Sequence, residues 1–177
     1  MEGAEKRIHA ELKTAQARGE LTLFTGEHFG AAILRDAKSH GFIIACPTEK
    51  SGQKEFDFEF GADFARHIEA IQPSFRKVLV RDNPGGDTVL NRRQAERLRT
   101  LSDYFQTRSQ SRFMFELLVP AEREQLERLK GDKNRYDLAL RPKLMAQTIE
   151  ELQDARVEPN IWKVEGLDRR EDFESVF

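Results

Sequence analysis

Five short apolar runs separated by helical patterns constrain this chain more than any other feature. The runs occupy residues 21–25, 42–46, 77–81, 113–119 and 160–165, and each is followed at once by Gly, Pro or Asp. Between the runs, apolar residues recur every three or four positions, which is typical of amphipathic helices. Strict alternation of strand and helix predicts right-handed βαβ units around a parallel sheet. A doubly wound sheet and a (β/α)8 barrel both fit, and both place their chemistry at the carboxyl ends of the strands.

Signals between the runs predict where the helices begin and end. A helix with Asn91 as its cap is expected to end near Thr107, and another is expected to begin near Pro142. Residues 131–137 are polar and are predicted to form a loop. Further helices are expected at residues 1–18, 31–39, 61–71, 122–129 and 169–177.

Size and composition exclude several classes of protein. The 177 residues suffice for one domain with a real core, and a net charge of -2 gives no basis for binding nucleic acid or a membrane surface. No run is long and apolar enough to span a bilayer or to act as a signal peptide. The single cysteine, Cys46, excludes an internal disulfide, predicts a core position and fits a reducing cytoplasm.

Charged residues interrupt the apolar strands, and their positions indicate a catalytic site. Lys77, Glu116 and Lys163 each lie within a predicted strand. Side chains alternate between the two faces of a strand, so if the strands share a barrel, all three can point inward together. An amine, a second cation and a carboxyl group are the parts of a Schiff-base lyase, in which the amine attacks a carbonyl and the carboxyl moves protons.

A structural explanation of the same residues stays open beside the chemical one. Lys77 stands at the start of its strand, where a lysine that faces solvent is ordinary. Glu116 could form a structural salt bridge with Arg112 or Lys163. No metal site is predicted, because the histidines lack the spacing of metal ligands; they are His9, His28, His40 and His67. A basic cluster on the fourth helical segment predicts a solvated face; its members are Arg92, Arg93, Arg97 and Arg99.

Several motifs of the chain are similar to those of one enzyme family. They are PTEKSGQ (47–53), EFDFE (55–59), KVLVR (77–81), FELLVP (115–120), EELQDA (150–155) and WKVEGLDRRED (162–172). Together they resemble the 5-dehydro-2-deoxyphosphogluconate aldolase family of inositol catabolism, over nearly the whole chain from about Leu21 to Asp172. More distantly, the strand with Lys163 and Glu165 is similar to that of the tagatose-bisphosphate aldolase group.

The resemblance implies a TIM barrel and class I aldol cleavage of 5-dehydro-2-deoxy-6-phosphogluconate to dihydroxyacetone phosphate and malonate semialdehyde. It implies Lys163 as the Schiff-base lysine, Glu116 as the proton shuttle and Lys77 as the second lysine, which lowers the proton affinity of the first. Four residues are implied as contacts on the substrate side: Glu49, Lys50, Arg81 and Glu165. A small phosphorylated keto acid is the implied partner, and neither a cofactor nor a metal is implied.

Against that family, residues 1–177 correspond to a single, incomplete barrel domain. About five parallel strands alternate with helices, and the first strand and the last two strands of the barrel are not matched. Two hypotheses follow: a lyase that is completed by self-association as a homo-oligomer, or a truncated, inactive remnant without the phosphate site. A pure binding module is a third, which an outward-pointing Lys163 would favour.

Overall fold

A computed structural model of the protein describes residues 22–24 and 27–176, with side chains from residue 30 onward. Five strands form one sheet in the order β1-β2-β3-β4-β5, and every neighbouring pair is parallel. The strands are β1 (Thr22–Phe24), β2 (Ile43–Pro47), β3 (Phe75–Arg81), β4 (Arg112–Leu118) and β5 (Ile161–Val164). The predicted parallel α/β architecture is therefore confirmed, including the five strands.

Helices follow every strand. They are α1 (Glu27–Ser39), α2 (Phe64–Ile71), α3 (Thr88–Thr107), α4 (Arg123–Arg128), α5 (Lys133–Arg135), α6 (Arg141–Asp154) and α7 (Arg170–Val176). A 3₁₀ turn at Gly61–Asp63 leads into α2, and a π-helical turn at Tyr136–Leu140 joins α5 to α6. Among the described residues, no helix is long and apolar enough to cross a membrane.

The strand order differs from that of a doubly wound sheet. A doubly wound sheet reverses its order at a switch point and carries helices on both faces. Here the order runs from β1 to β5 without reversal. Right-handed crossovers in an unreversed order place all helices on one side of the sheet, which leaves the other side for the site.

Alternation along the strands gives the sheet two chemically different faces. Apart from the buried Arg76, the helix face is apolar, and its fully buried hydrophobic residues pack against α3 and α6 in one core cluster; they include Val78, Val80, Phe113, Phe115 and Leu117. Phe115 also packs against Trp162, with the rings tilted and their centroids 4.8 Å apart. Cys46 lies in a second cluster with α1, as predicted. Full burial of each large side chain is worth about 1.5–3 kcal/mol, so this face holds the layers together.

Some predicted boundaries are wrong, each for a local reason. Asp87, not Asn91, caps α3: its carboxylate accepts from the backbone N–H groups of Val89 and Leu90. Asn91 lies inside the helix and donates to the carbonyl of Asn83. The polar stretch 131–137 is not a loop, because Asp132 caps α5 and the chain continues into the π-helical turn. The helix predicted at residues 1–18 lies outside the described residues.

Candidate active site

The site face is the side of the sheet opposite the helices, and Glu116 lies at its centre. Glu116 stands on β4 in register with Leu79 on β3 and with Lys163 on β5. Its helix-face neighbours, Phe115 and Leu117, are fully buried, so alternation fixes the direction of the carboxylate.

Two lysines bind the two oxygens of this carboxylate. Lys77 Nζ donates to Glu116 Oε2 at 2.7 Å, reaching across from β3. Lys163 Nζ donates to Glu116 Oε1 from β5. The two ammonium groups differ in access to solvent, because the Lys77 side chain is 10% exposed and that of Lys163 is 57% exposed. A carbonyl compound arriving from solvent would therefore meet Lys163 first.

Glu49 is the fourth charged member of the group. Its Oε1 lies 3.1 Å from Lys77 Nζ, and both side chains are almost buried. Its Oε2 accepts a hydrogen bond from the backbone N–H of Thr48. Glu49, Lys77, Glu116 and Lys163 thus form a chain of alternating charges, here called the charge chain.

The two carboxyl groups of the charge chain have opposite pKa shifts. Burial raises the pKa of Glu49, and the charge of Lys77 only partly offsets this effect. Burial would also raise the pKa of Glu116, but hydrogen bonds from Lys163 and Lys77 outweigh it and the pKa is lowered. Glu116 is therefore held as a carboxylate, and Glu49 keeps a proton more readily.

Three further residues, which the resemblance implied as contacts on the substrate side, have their partners outside the charge chain. Lys50 is exposed and pairs with Asp57 at 3.3 Å. Arg81 ends β3 and donates to the carbonyl of Gln53 at 3.2 Å. Glu165 accepts from the backbone N–H of Val119 and lies 3.2 Å from Arg141. Arg81 and Lys50 remain accessible, whereas both oxygens of Glu165 have partners.

The segment 48–60, which follows β2, is folded back on itself and carries Glu49. Glu49 and Phe58 form an antiparallel bridge. The backbone N–H of Glu59 donates to the carbonyl of Thr48 at 2.9 Å. Phe56 and Phe58 are buried in the main core. The segment therefore fixes the position of Glu49 instead of leaving it on a free loop.

Basic residues of helix α3 hold segment 48–60 in place through ion pairs to Glu55. These ion pairs are here called the clamp, and the segment is called the clamped segment. Arg93 binds Glu55 with two hydrogen bonds of 2.6 Å, and Arg97 binds the same carboxylate at 2.8 Å. Arg97 also donates to the carbonyl of Phe56. The basic face is accessible to solvent as predicted, but these two residues also bind a partner that stands 38 and 42 residues earlier in the chain.

Gln94 joins the clamped segment to the end of β3. This fully buried amide accepts from the backbone N–H of Phe56 and donates to the carbonyl of Arg81 and to Asp82. Burial raises the pKa of Asp82 to about 6, the bond from Gln94 lowers it in part, and the charge of Glu151 raises it further. Gln94 was not predicted as part of the site, since a glutamine on a helix gives no sign of burial.

The structure decides between the two partners foreseen for Glu116. The carboxylate binds the lysines and not Arg112. Lys77 faces Glu49 and Glu116 instead of solvent. Within residues 30–176, no three or more His, Cys, Asp or Glu side chains are grouped to hold a metal ion. The side chain of His28 lies outside the described residues.

Comparison with known proteins gives a family for the chain. The bacterial family described as "Uncharacterized protein conserved in bacteria (DUF2090)" matches residues 4–176. The match includes every member of the charge chain and the clamped segment. A search of curated proteins found no match.

Proposed function

The chain belongs to this bacterial DUF2090 family, and from its charge chain we propose that it is a class I aldolase, a lyase that works through a Schiff base on Lys163. The observation that carries the proposal is the arrangement around Glu116. An accessible amine and a nearly buried ammonium group bind the two oxygens of one carboxylate. That set supplies a nucleophile, a proton acceptor and a fixed positive charge within one face of a sheet.

The first step is the activation of Lys163. Its ammonium group transfers a proton to the Glu116 carboxylate, with which it already shares a hydrogen bond. The neutral amine adds to the substrate carbonyl, whose oxygen takes up the proton from Glu116. Loss of water then gives the positively charged Schiff base. Lys77 keeps Glu116 in place and offsets its charge while it is a carboxylate.

Carbon–carbon cleavage follows from the same geometry. The Schiff base accepts the electron pair of the breaking bond, while Glu116 takes the proton of the hydroxyl group that becomes an aldehyde. Glu116 then returns a proton to the resulting enamine, and water releases the second product from Lys163. Each step uses Glu116 or a side chain that already contacts it, so no large movement of the protein is required.

For the substrate, we propose a phosphorylated keto sugar acid such as 5-dehydro-2-deoxy-6-phosphogluconate. The resemblance of the sequence motifs supports this choice. So does the position of Arg81, an exposed cation at the carboxyl end of β3, which suits a carboxylate or phosphate group. For the fold, we propose part of a (β/α)8-type barrel, supported by the unreversed strand order.

Trapping of the Schiff base tests the proposal. The protein is treated with dihydroxyacetone phosphate and sodium borohydride, digested and analysed by mass spectrometry. We expect a reduced adduct at Lys163 in the wild type and in Lys143→Met, a control that removes an exposed lysine of α6. We expect none in Lys163→Met. Absence of an adduct in the wild type would contradict the proposal and favour an inactive protein, as would labelling of exposed lysines to the same extent.

A further inference from the structure

Between the steps of the reaction a group must hold the proton, and Glu116 alone is poorly suited to hold it. Its pKa is lowered, so it releases readily any proton that it receives. A shuttle of this kind works best with a second group that holds the proton more tightly. Lys77 touches Glu116 Oε2, and beyond Lys77 lies Glu49.

We propose that Glu49 stores a proton for the site and exchanges it with Glu116 through Lys77. This inference rests on the aldolase function proposed above. In the exchange, the Lys77 ammonium group gives one proton to the Glu116 carboxylate, and the Glu49 carboxylic acid gives its proton to the resulting Lys77 amine. Lys77 ends as an ammonium group, Glu49 as a carboxylate and Glu116 as an acid. One proton has moved from Glu49 to Glu116, and no other reactant is needed.

The distances allow this exchange without rearrangement. Lys77 Nζ lies 3.1 Å from Glu49 Oε1 and 2.7 Å from Glu116 Oε2, so one nitrogen contacts both carboxyl groups. Its three N–H groups can serve both acceptors at once. The charged groups that act on the two acids are Lys77 for Glu49, and Lys77 with Lys163 for Glu116.

The surroundings of Glu49 argue against the substrate contact that the sequence motif implied. The side chain is 11% exposed, and its two oxygens face Lys77 and the N–H group of Thr48. Burial raises its pKa, as expected for a group that keeps a proton. The clamp between Glu55 and α3 holds the segment that carries Glu49. Glu49 therefore acts through Lys77, as a positioning and proton-storing residue.

Substitution of Glu49 tests the inference through steady-state kinetics. In Glu49→Gln we expect kcat to fall about 100-fold, as for the loss of a group that moves protons, with KM almost unchanged. Glu49→Asp keeps a carboxyl group and is expected to retain more of kcat. The control is Glu59→Gln, because the Glu59 carboxylate of the same segment has no partner among the described residues. A raised KM with unchanged kcat in Glu49→Gln would overturn the inference and restore a substrate contact.

A second measurement does not depend on turnover. The rate at which acetic anhydride labels Lys77 is followed by mass spectrometry in the wild type, Glu49→Gln and Glu59→Gln. At alkaline pH, where Glu49 is a carboxylate, the change to Gln removes a negative charge beside Lys77, so Lys77 is expected to react several-fold faster in Glu49→Gln only. An unchanged rate would overturn the exchange between Glu49 and Lys77. If the wild type forms no Schiff base, the aldolase proposal fails, while this labelling still decides whether the two groups are coupled.

Discussion

Glu116 on β4 and Lys163 on β5 are register partners on adjacent parallel strands, and their side chains meet on the face that the helices leave open. Neighbouring strands in a sheet lie about 4.8 Å apart, so a register pair of opposite charge is held in contact by the backbone itself. This contact depends on the sheet and not on a loop. The contact between Glu116 and Lys163 can therefore persist while the surrounding loops move.

Coupling between Lys77 and Glu116 is the first prediction. Lys77→Met and Glu116→Gln are each expected to destabilise the protein, and the double variant less than the sum of the two. The interaction energy should exceed about 1 kcal/mol, within the range for contacting pairs, because both groups are nearly buried. Chemical denaturation of the four proteins measures it. The exposed pair Arg170–Glu174 serves as the control cycle, with coupling close to zero. Equal coupling in the two cycles would contradict a buried contact.

The buried acid Asp82 predicts a pH dependence of stability. Its pKa rises from 3.8 to about 6 on folding, so the folded protein binds the proton more tightly. The associated stability is present below the ordinary pKa and is lost as the pH rises through about 6; at 1.36 kcal/mol per pKa unit, it amounts to about 3 kcal/mol.

Asp82→Asn removes this titration, so the variant should gain stability relative to the wild type between about pH 4 and pH 8. Urea unfolding across this range checks the expectation. Asp154→Asn, an exposed change of the same charge on α6, is the control and should differ little in stability from wild type, because the position is exposed. A flat difference for Asp82→Asn as well would show that the acid is not held in a desolvated position.

Loss of the Gln94 amide should be costly. Gln94→Leu leaves the N–H of Phe56, the carbonyl of Arg81 and the Asp82 carboxyl without this partner. Each buried polar group left unpaired costs about 1–3 kcal/mol, so we expect a loss of at least about 2 kcal/mol in the free energy of unfolding. Gln106→Leu makes the same change at an exposed position of the same helix and should have little effect. Similar losses in both variants would mean that the change in helix composition, and not the loss of the buried hydrogen bonds, lowers the free energy of unfolding.

Breaking the clamp should loosen the segment that carries Glu49. In Glu55→Gln, we expect faster amide hydrogen exchange across residues 50–57, because Arg93 and Arg97 lose their shared carboxylate. The matched control is Glu96→Gln, which removes a carboxylate bound to Arg92 on α3 but does not touch the segment. Mass spectrometry of the exchanged peptides gives the readout. Unchanged exchange in Glu55→Gln would show that the buried rings of Phe56 and Phe58 hold the segment by themselves.

The sequence was most informative where a single residue spacing decides the outcome. Period-two alternation predicted that Lys77, Glu116 and Lys163 could share one face, and the structure brings them together. Apolar runs located all five strands to within a few residues. Chemical roles for the three residues remain predictions, because proximity alone does not establish a reaction.

Contacts between distant parts of the chain could not be predicted in the same way. Glu55 has its partners about 40 residues away on α3, and nothing in the local pattern marks it out. The π-helical turn at Tyr136–Leu140 also escaped prediction. Tyr136 is buried there and donates to the carbonyl of Val119, so tertiary contact determines the turn. Such features depend on how elements pack, which a single sequence does not reveal.

The opposite faces of Phe115 and Glu116 limit how this sequence can change in length. Insertion or deletion of one residue within β4 would exchange the two side chains, putting a carboxylate into the aromatic core and a ring among the lysines. A shift of two residues would preserve the faces but move Glu116 about 6.6 Å along the strand, away from Lys163. Relatives that keep this site should therefore vary in length between the elements, while the strands themselves stay constant in length.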